Sequence, residues 1–541
     1  VDARSQRDPH DPDHPVDPRD AGSPRLTRGL LMDDVVVYER RSVASFTLVV
    51  FALALGLGGY VLVGLNQDGQ PPADWPLAVA VWAGLGLVSW GVVRWRLPYA
   101  DPLLLPCVLL LNGLGMAMIY RLDQATNPPM QSGRLQLGWA AAAVAVMLAV
   151  VVFLKDHRRL QRYTYLWFVL GLGLLLLPLV PGIGFANHGA RVWIKLGTFS
   201  FQPGEVAKIV LSIAFAAYLT EKGDVLAKAG PRLLGLTLPR MRDLGPIAVM
   251  WGISMLILVF ETDLGMSLLF FSLFVAMVYI ATRRSSWAIL GLLLVGVMGF
   301  LGYTYLGHVR VRFQAWLQPF SNYDQNWQII SAQFGFASGG LLGTGWGLGR
   351  PYLTPIAKSD FIAAALGEEL GLVGLFAILL VYLIIVARVL RAALITRETF
   401  GALLAAGLAF VFGLQVFIIV GGVTRLLPLT GLTTPFMSQG GSSLISNYLL
   451  LGLLLTVTHQ ARKPQAQIET DEFSSLHDEA TTAIPAVAAA GVRTPTSPSS
   501  ASPAPTRTPQ VTTPAMADRA SDVDAPTQAI APQAPFGGDA P

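Results

Sequence analysis

Charge is scarce in this chain. Asp, Glu, Lys and Arg make up 13% of its 541 residues, where a soluble globular protein carries about 25%. That deficit excludes an ordinary soluble fold. Cysteine is nearly absent: the single one, Cys107, lies inside an apolar run, so no intrachain disulfide framework or cysteine-built metal site exists and the redox compartment stays unread. No His/Cys cluster has zinc-ligand spacing, and no Gly-x-Ser-x-Gly elbow occurs. A glycine-rich run at 335–349 lacks the Lys-Ser/Thr ending of a P-loop. The basic residues are spread through short loops, so the net charge of +4 does not point to nucleic acid. Residues 1–41, rich in Asp, Arg and Pro, lack the apolar core and cleavage site of a signal peptide.

What is abundant is apolar. Hydrophobic residues make up 53% of the chain and its mean hydropathy is +0.53. The expected fold is an all-α polytopic membrane protein with about twelve transmembrane helices, read from apolar segments near 20 residues. They fall at 44–65, 75–93, 102–120, 135–154, 163–180, 206–219, 245–260, 264–281, 287–306, 361–389, 400–423 and 443–458. Lys and Arg concentrate in alternate short loops, such as Arg94 and Arg96, Lys155 to Arg162, and Arg283 and Arg284. By the positive-inside rule both termini are cytosolic, and the loops 181–202, 307–360 and 424–442 face outward. The arm 1–41 and the Ala/Pro/Thr-rich tail 463–541 are expected to be disordered.

The polar residues left among the spans are the candidate site. The stretch 187–208 ends in Gln202-Pro203-Gly204-Glu205 and carries Lys208 one turn later. Pro203 suits the first turn of a helix, and Glu205 and Lys208, three apart, share a helix face. Charges at membrane depth mark function by default, or else a structural ion pair. Asp263 reads equally as an N-cap for the following helix or as a cavity carboxylate. Glu368 and Glu369, inside an apolar segment, imply a water-filled cavity or a paired cation. Asp360 is placed to cap that segment. The long outward loop 307–360, with no clear secondary structure, is of the length that is usually functional or disordered. Its glycines permit close backbone approach to a ligand or to a helix. Hydroxyls, an amide and bare backbone at 435–443 could form an anion or sugar site at a helix start.

GARVWIKLGTFSFQPGEVAK, ETDLG, SDFIAAALGEELGLVG and VGGVTRLLPLTGLTTPFMSQGGSS occur here in one order. With these motifs the chain resembles the SEDS family (shape, elongation, division and sporulation: RodA, FtsW and SpoVE). The resemblance covers about 101–462 and looks most like the actinobacterial RodA branch. It implies a ten-span core at 101–462 preceded by two extra helices within 42–100. It also implies a peptidoglycan glycosyltransferase that polymerises lipid II at the outer face of the cytoplasmic membrane, for elongation or division. The implied partners are lipid II, membrane lipid and a class B penicillin-binding protein. The implied cofactor is at most a divalent metal, magnesium or manganese, and no organic group.

The donor sugar is α-linked to pyrophosphate and the product is β-1,4, so one direct displacement with one base fits. The family carboxylate precedes an aromatic-Gln pair, here Trp327-Gln328. Aligned from Pro319 without a gap it falls on Asn322, and with a shift on Asp324. An amide is no base. The reading adopted makes Asp324 catalytic, because loops tolerate such shifts; the alternative is a weak or inactive member. Arg191, Trp193, Gln202, Glu205, Lys208, Asp263, Arg312 and Asp360 match the family's substrate-binding positions, with Lys208 and Arg191 assigned to pyrophosphate or cavity electrostatics. Two other readings compete: a lipid II flippase or transporter, against which stands the lack of a clear internal repeat, and a scaffold that only recruits a penicillin-binding protein.

Overall fold

The computed structural model describes residues 42–464, apart from 127–128, 155, 188–189, 198, 228–231, 234–235 and 238–240. The arm 1–41 and the tail from 465 lie outside the described residues. The chain divides into two units, 1–471 and 472–541, and everything below concerns the first.

Each expected apolar segment folds as a helix. In order these are α1 Ser42–Asp68, α2 Trp75–Arg96, α3 Leu104–Asp123 and α4 Ser132–Phe153. After a single turn, α5 Arg158–Gln161, come α6 Thr164–Leu176, α7 Pro203–Ala227, α8 Met241–Glu261, α9 Leu264–Thr282 and α10 Ser285–Tyr305. Two helices, α11 Gly307–Leu317 and α12 Tyr323–Gly339, precede α13 Ile362–Ile395, α14 Thr399–Val423 and α15 Gly441–Arg462. Among the described residues ten helices are long and apolar enough to cross a membrane; the apolar stretches in α6 and α8 are shorter, at Thr164–Leu179 and Trp251–Glu261. The chain is a multi-pass membrane protein.

Three features depart from the sequence reading. Pro203 to Lys208 open α7, as their pattern implied, but the segment 184–201 before them is not a loop. It belongs to an antiparallel sheet of β1 Gly184–Asn187, β2 Ala190–Leu196 and β3 Phe199–Phe201, in which Phe185 faces Trp193 and Lys195 faces Ser200. The alternation of Val192 and Ile194, both buried, with exposed Arg191 and Lys195 is the period of a half-buried strand. The long segment 307–360 is not structureless either, since it holds α11 and α12. Finally, α13 is broken at Gly371, where φ is 69° and ψ is −174°.

That break is filled by the glycine-rich run. The amides of Thr344 and Gly345 donate to the carbonyls of Glu368 and Glu369 at 3.0 and 2.9 Å, and Leu372 and Val373 donate to Gly340 and Leu341 at 3.0 and 3.1 Å. A backbone break buried among other helices survives only with such replacement partners. A Cβ on Gly339 would stand 2.8 Å from the Glu368 Cα, so the glycines serve approach to a helix. The carboxylates are held as well. Glu369 is paired with Arg121 of α3 at 2.9 Å and accepts the Gly347 amide at 3.0 Å, while Glu368 accepts the Arg350 amide at 2.6 Å. The cation implied for this acidic pair is therefore Arg121.

Helix α1 of the N-terminal pair lies against α3, where a Cβ on Gly56 would come 2.8 Å from the Gly113 Cα. Small residues at such crossings let helix backbones meet. From α1, Asn66 donates to the Trp346 carbonyl at 2.7 Å, tying the pair to the glycine-rich run.

Candidate active site

A cavity of about 940 Å³ opens among these elements. The sheet supplies Val192, Trp193 and Ser200, Gln202 follows it, and α7 supplies Glu205 from its first turn. The turn between α8 and α9 adds Thr262 and Asp263. Helix α11 presents Val311, Arg312, Ala315 and Trp316, one face at helical spacing, and α12 presents Gln325, Asn326, Gln328 and Ile329. Asp360, the 429–433 loop, Gln136 and Trp139 of α4, and the first residues of α15 close it.

The charge in this cavity is arranged around Arg312. Its guanidinium donates to the Leu429 carbonyl at 2.9 Å. Asp263 and Asp360 both act on it electrostatically, against a burial that pulls its pKa below the usual arginine range. Gly431 lies beside the pair: a Cβ there would be 3.6 Å from Asp360 Oδ2 and 3.9 Å from Arg312 Nη1. Asp360 therefore faces the cavity and does not cap α13, whose N-cap is Phe361 without a side-chain hydrogen bond. Asp263 does both jobs that its sequence allowed. It caps α9 by accepting the Met266 amide at 2.9 Å, and it lines the cavity. Thr262, just before it, holds φ at 58°, a strained conformation for a β-branched residue.

Burial pushes the Asp263 carboxyl up to about 6, aided by Glu205 and opposed by the Met266 amide and Arg312. The sign follows directly. Above about 6 the side chain is an anion that attracts Arg312, and below it the group is neutral and that attraction is lost. Because the folded value lies above the unfolded one, charging this group lowers stability as pH rises between the two, and the cost stays above them. Turnover that needs the anion should fall as pH drops through about 6. A pH–rate profile that flattens in Asp263→Asn would confirm the assignment, and an unchanged acid limb would reject it.

Glu205 and Lys208 form a pair at 2.6 Å, both almost fully buried. Lys208 also donates to Gln415 Oε1 at 2.8 Å, and Gln415 Nε2 donates to the Thr433 carbonyl at 3.0 Å. Glu205 lines the cavity whereas Lys208 stands behind it. The lysine thus acts on the cavity through Glu205, the other half of its sequence assignment, and is not placed to touch a ligand. Gln415 was missed; its signal was a lone amide within the apolar α14. Gln415→Leu leaves Lys208 one acceptor short and the Thr433 carbonyl unpartnered. It should cost about 1–3 kcal/mol, read as a lower unfolding midpoint in detergent.

Of the positions singled out in the sequence, Trp193, Gln202, Glu205, Asp263, Arg312 and Asp360 line the cavity, and Arg191, Lys208 and Asp324 do not. Arg191 is exposed on β2. Asp324 is exposed in the first turn of α12, which Asn322 caps by accepting the Gln325 amide at 3.2 Å. Gln325, which was not picked out, and Gln328, which served only as half of the landmark pair, do face the cavity. Gln136 was also missed: it donates to the Ser438 carbonyl and accepts the Gly440 amide, joining α4 to the start of α15. In the 435–443 stretch, Gln439, Gly440 and Gly441 reach the cavity, while the Ser438 hydroxyl is spent on the Ser359 carbonyl at 2.5 Å.

Residues 102–463 match a family model for FtsW, RodA and SpoVE, described as "Cell cycle protein". The chain is 48% identical over 430 residues to "Peptidoglycan glycosyltransferase RodA" of Mycobacterium tuberculosis, covering 78% of this chain and 91% of that protein. It is 31% identical over 372 residues to "Stage V sporulation protein E" of Bacillus subtilis, covering 67% and 98%. A solved chain from a peptidoglycan synthase complex, described as coordinating polymerization and crosslinking, superimposes with a TM-score of 0.55 at 26% identity. That match covers 68% of this chain and 99% of the other.

Proposed function

Because the chain belongs to the FtsW, RodA and SpoVE family, we propose that it is a peptidoglycan glycosyltransferase that polymerises lipid II into glycan strands at the outer face of the cytoplasmic membrane. The observation that carries this is the cavity itself. A cation flanked by two carboxylates stands in a space of about 940 Å³ among membrane helices. Such a space can receive the saccharide-pyrophosphate head of a substrate delivered by the bilayer. The distribution of Lys and Arg supports an outward-facing cavity with both termini cytosolic.

In the proposed reaction the acceptor hydroxyl attacks the anomeric carbon of the donor sugar. Asp324 takes the hydroxyl proton, and the bond to pyrophosphate breaks with its electron pair going to the phosphate oxygen. Arg312 stabilises the charge on that leaving group, and Asp263 and Asp360 hold the guanidinium in place. Trp193, Gln202 and Glu205 shape the sugar side. Asp324 reaches the reaction from outside the lining. Trp327 and Gln328 follow it by three and four residues, so it lies one turn above both, and Gln328 faces the cavity.

Magnesium or manganese enters this proposal with the substrate. Magnesium is usually held by one or two carboxylates together with substrate phosphates, and Asp263 and Asp360 are suited to that. Among the described residues no group of three or more His, Cys, Asp or Glu stands together as a dedicated cage. The proposed partner is a class B penicillin-binding protein that cross-links the product.

The test is to purify the full chain with its transpeptidase, supply lipid II and magnesium, and resolve glycan products on a gel. Polymer supports the reading. No polymer, together with lipid II movement across vesicles, would replace it with transport. The Asn322 amide motivates the second reading of a catalytically weak scaffold, which predicts neither polymer nor movement.

A further inference from the structure

The segment 424–440, between α14 and α15, forms no helix or strand, yet residues 434–438 within it are buried. A buried loop needs partners for its backbone carbonyls, and side chains of the surrounding helices supply them. Tyr382 of α13 donates to the Pro435 carbonyl at 2.6 Å, and Asn112 of α3 donates to the Phe436 carbonyl at 2.9 Å. Phe436 holds φ at 65°, a conformation that persists only where the surroundings fix it. The loop is thus clamped from several sides.

Helix α11 hangs from this loop. Trp316 Nε1 donates to the Arg425 carbonyl at 2.9 Å, and Arg425 donates to the Trp316 carbonyl at 3.0 Å. One turn before Trp316, Arg312 reaches the Leu429 carbonyl at 2.9 Å. Wherever the loop sits, the guanidinium sits with it.

Gln415 joins the loop to the wall that carries Glu205. It is 1% exposed and does not line the cavity. Its neighbours leave its amide one orientation. The Lys208 ammonium can only donate and the Thr433 carbonyl can only accept. Oε1 must therefore face the first and Nε2 the second, and they do, at 2.8 and 3.0 Å. A glutamate would serve the ammonium and not the carbonyl; a leucine would serve neither. Lys208 in turn holds Glu205 at 2.6 Å.

We propose that Gln415 is a positioning residue for Arg312: it ties the loop that carries α11 to the Glu205–Lys208 pair, and so sets the guanidinium against the Glu205 carboxylate across the cavity. The catalytic consequence rests on the function proposed above, in which Arg312 stabilises the leaving group.

Gln415→Glu separates the two halves of this role, because it keeps an acceptor for Lys208 and removes the donor to Thr433. With the full chain, its transpeptidase, lipid II and magnesium, kcat and kcat/KM should fall together by about 10- to 100-fold, with KM unchanged, as a misplaced transition-state contact requires. Val457→Ala, at a fully buried position near the other end of α15, loosens the core alone and should leave kcat unchanged. In an Arg312→Lys background the further loss from Gln415→Glu should shrink to about twofold or less, because the two residues act as a unit. Additive losses, or a change in KM alone, overturn the assignment. Hydrogen exchange of the substrate-free chain in nanodiscs tests the coupling itself. Exchange at 307–317 and 424–433 should quicken in Gln415→Glu and not in Val457→Ala, and unchanged exchange overturns the proposal. If the wild type makes no polymer, the function proposed above fails, and exchange alone decides whether Gln415 positions α11.

Discussion

Asp324→Asn should reduce polymerisation by about 10²- to 10⁴-fold, the usual contribution of a positioned general base, with folded yield unchanged. The side chain is exposed and α12 is capped by Asn322, not by Asp324, so the substitution removes a charge and no structural contact. The companion variant, Asn322→Asp, restores the carboxylate at the position that an ungapped alignment selects. Aspartate caps a helix as well as asparagine does, so this variant should fold normally and, with Asp324 intact, gain little. If Asp324→Asn keeps full activity, the proton goes elsewhere. If the wild type is silent and Asn322→Asp makes polymer, the natural chain is a degenerate enzyme. Products from purified complexes of the three chains, compared at equal protein, decide among these outcomes.

Arg121→Ala should be the most destabilising single change among those considered. Its guanidinium is 4% exposed, the Glu369 carboxylate is fully buried, and Arg121 also donates to the Gly349 carbonyl at 2.7 Å. Breaking one partner of a buried pair costs about 3–5 kcal/mol, because the remaining charge is stranded. The loss should spread to the glycine-rich run, since Glu369 also accepts the Gly347 amide. Replacing both partners by methionine removes the stranded charge and should recover much of the stability. Thermal unfolding in detergent, monitored for wild type, single and double variants, checks this. A double variant no better than Arg121→Ala would show that backbone contacts, and not the charge, govern the region.

Much of this was legible in the sequence. Apolar runs near 20 residues must be helices in a bilayer, and so they are. Glu205 and Lys208 pair as their spacing requires, and Asp263 caps a helix as its place before Leu264 suggests. What could not be read is long-range. Nothing in the neighbourhood of Glu369 names Arg121, 248 positions away. Nothing near Lys208 names Gln415. The β-period of 190–196 was hidden because its polar residues read as loop, and only pairing with 184–187 and 199–201 makes it a sheet. Asp360 looked like a cap because its place at a helix start is a local signal, whereas its facing Arg312 is set by how α11 and the 429–433 loop fold over it. Gln328 had served only as the landmark for the carboxylate, and the amides Gln136 and Gln325 carried no signal beyond being polar in or beside apolar runs.

The broken helix α13 bears on how the protein is made. Its upper turns cannot satisfy their own carbonyls across Gly371, and hydrocarbon offers no substitute. The groups that complete them come from Gly340 to Gly345, which leave the ribosome before α13 does. The first turns of α13 are therefore completed by a glycine-rich run that has already been made when they emerge. An insertion between 345 and 362 would be felt at the stage of biogenesis, as failed insertion and degradation, before any effect on chemistry could be measured.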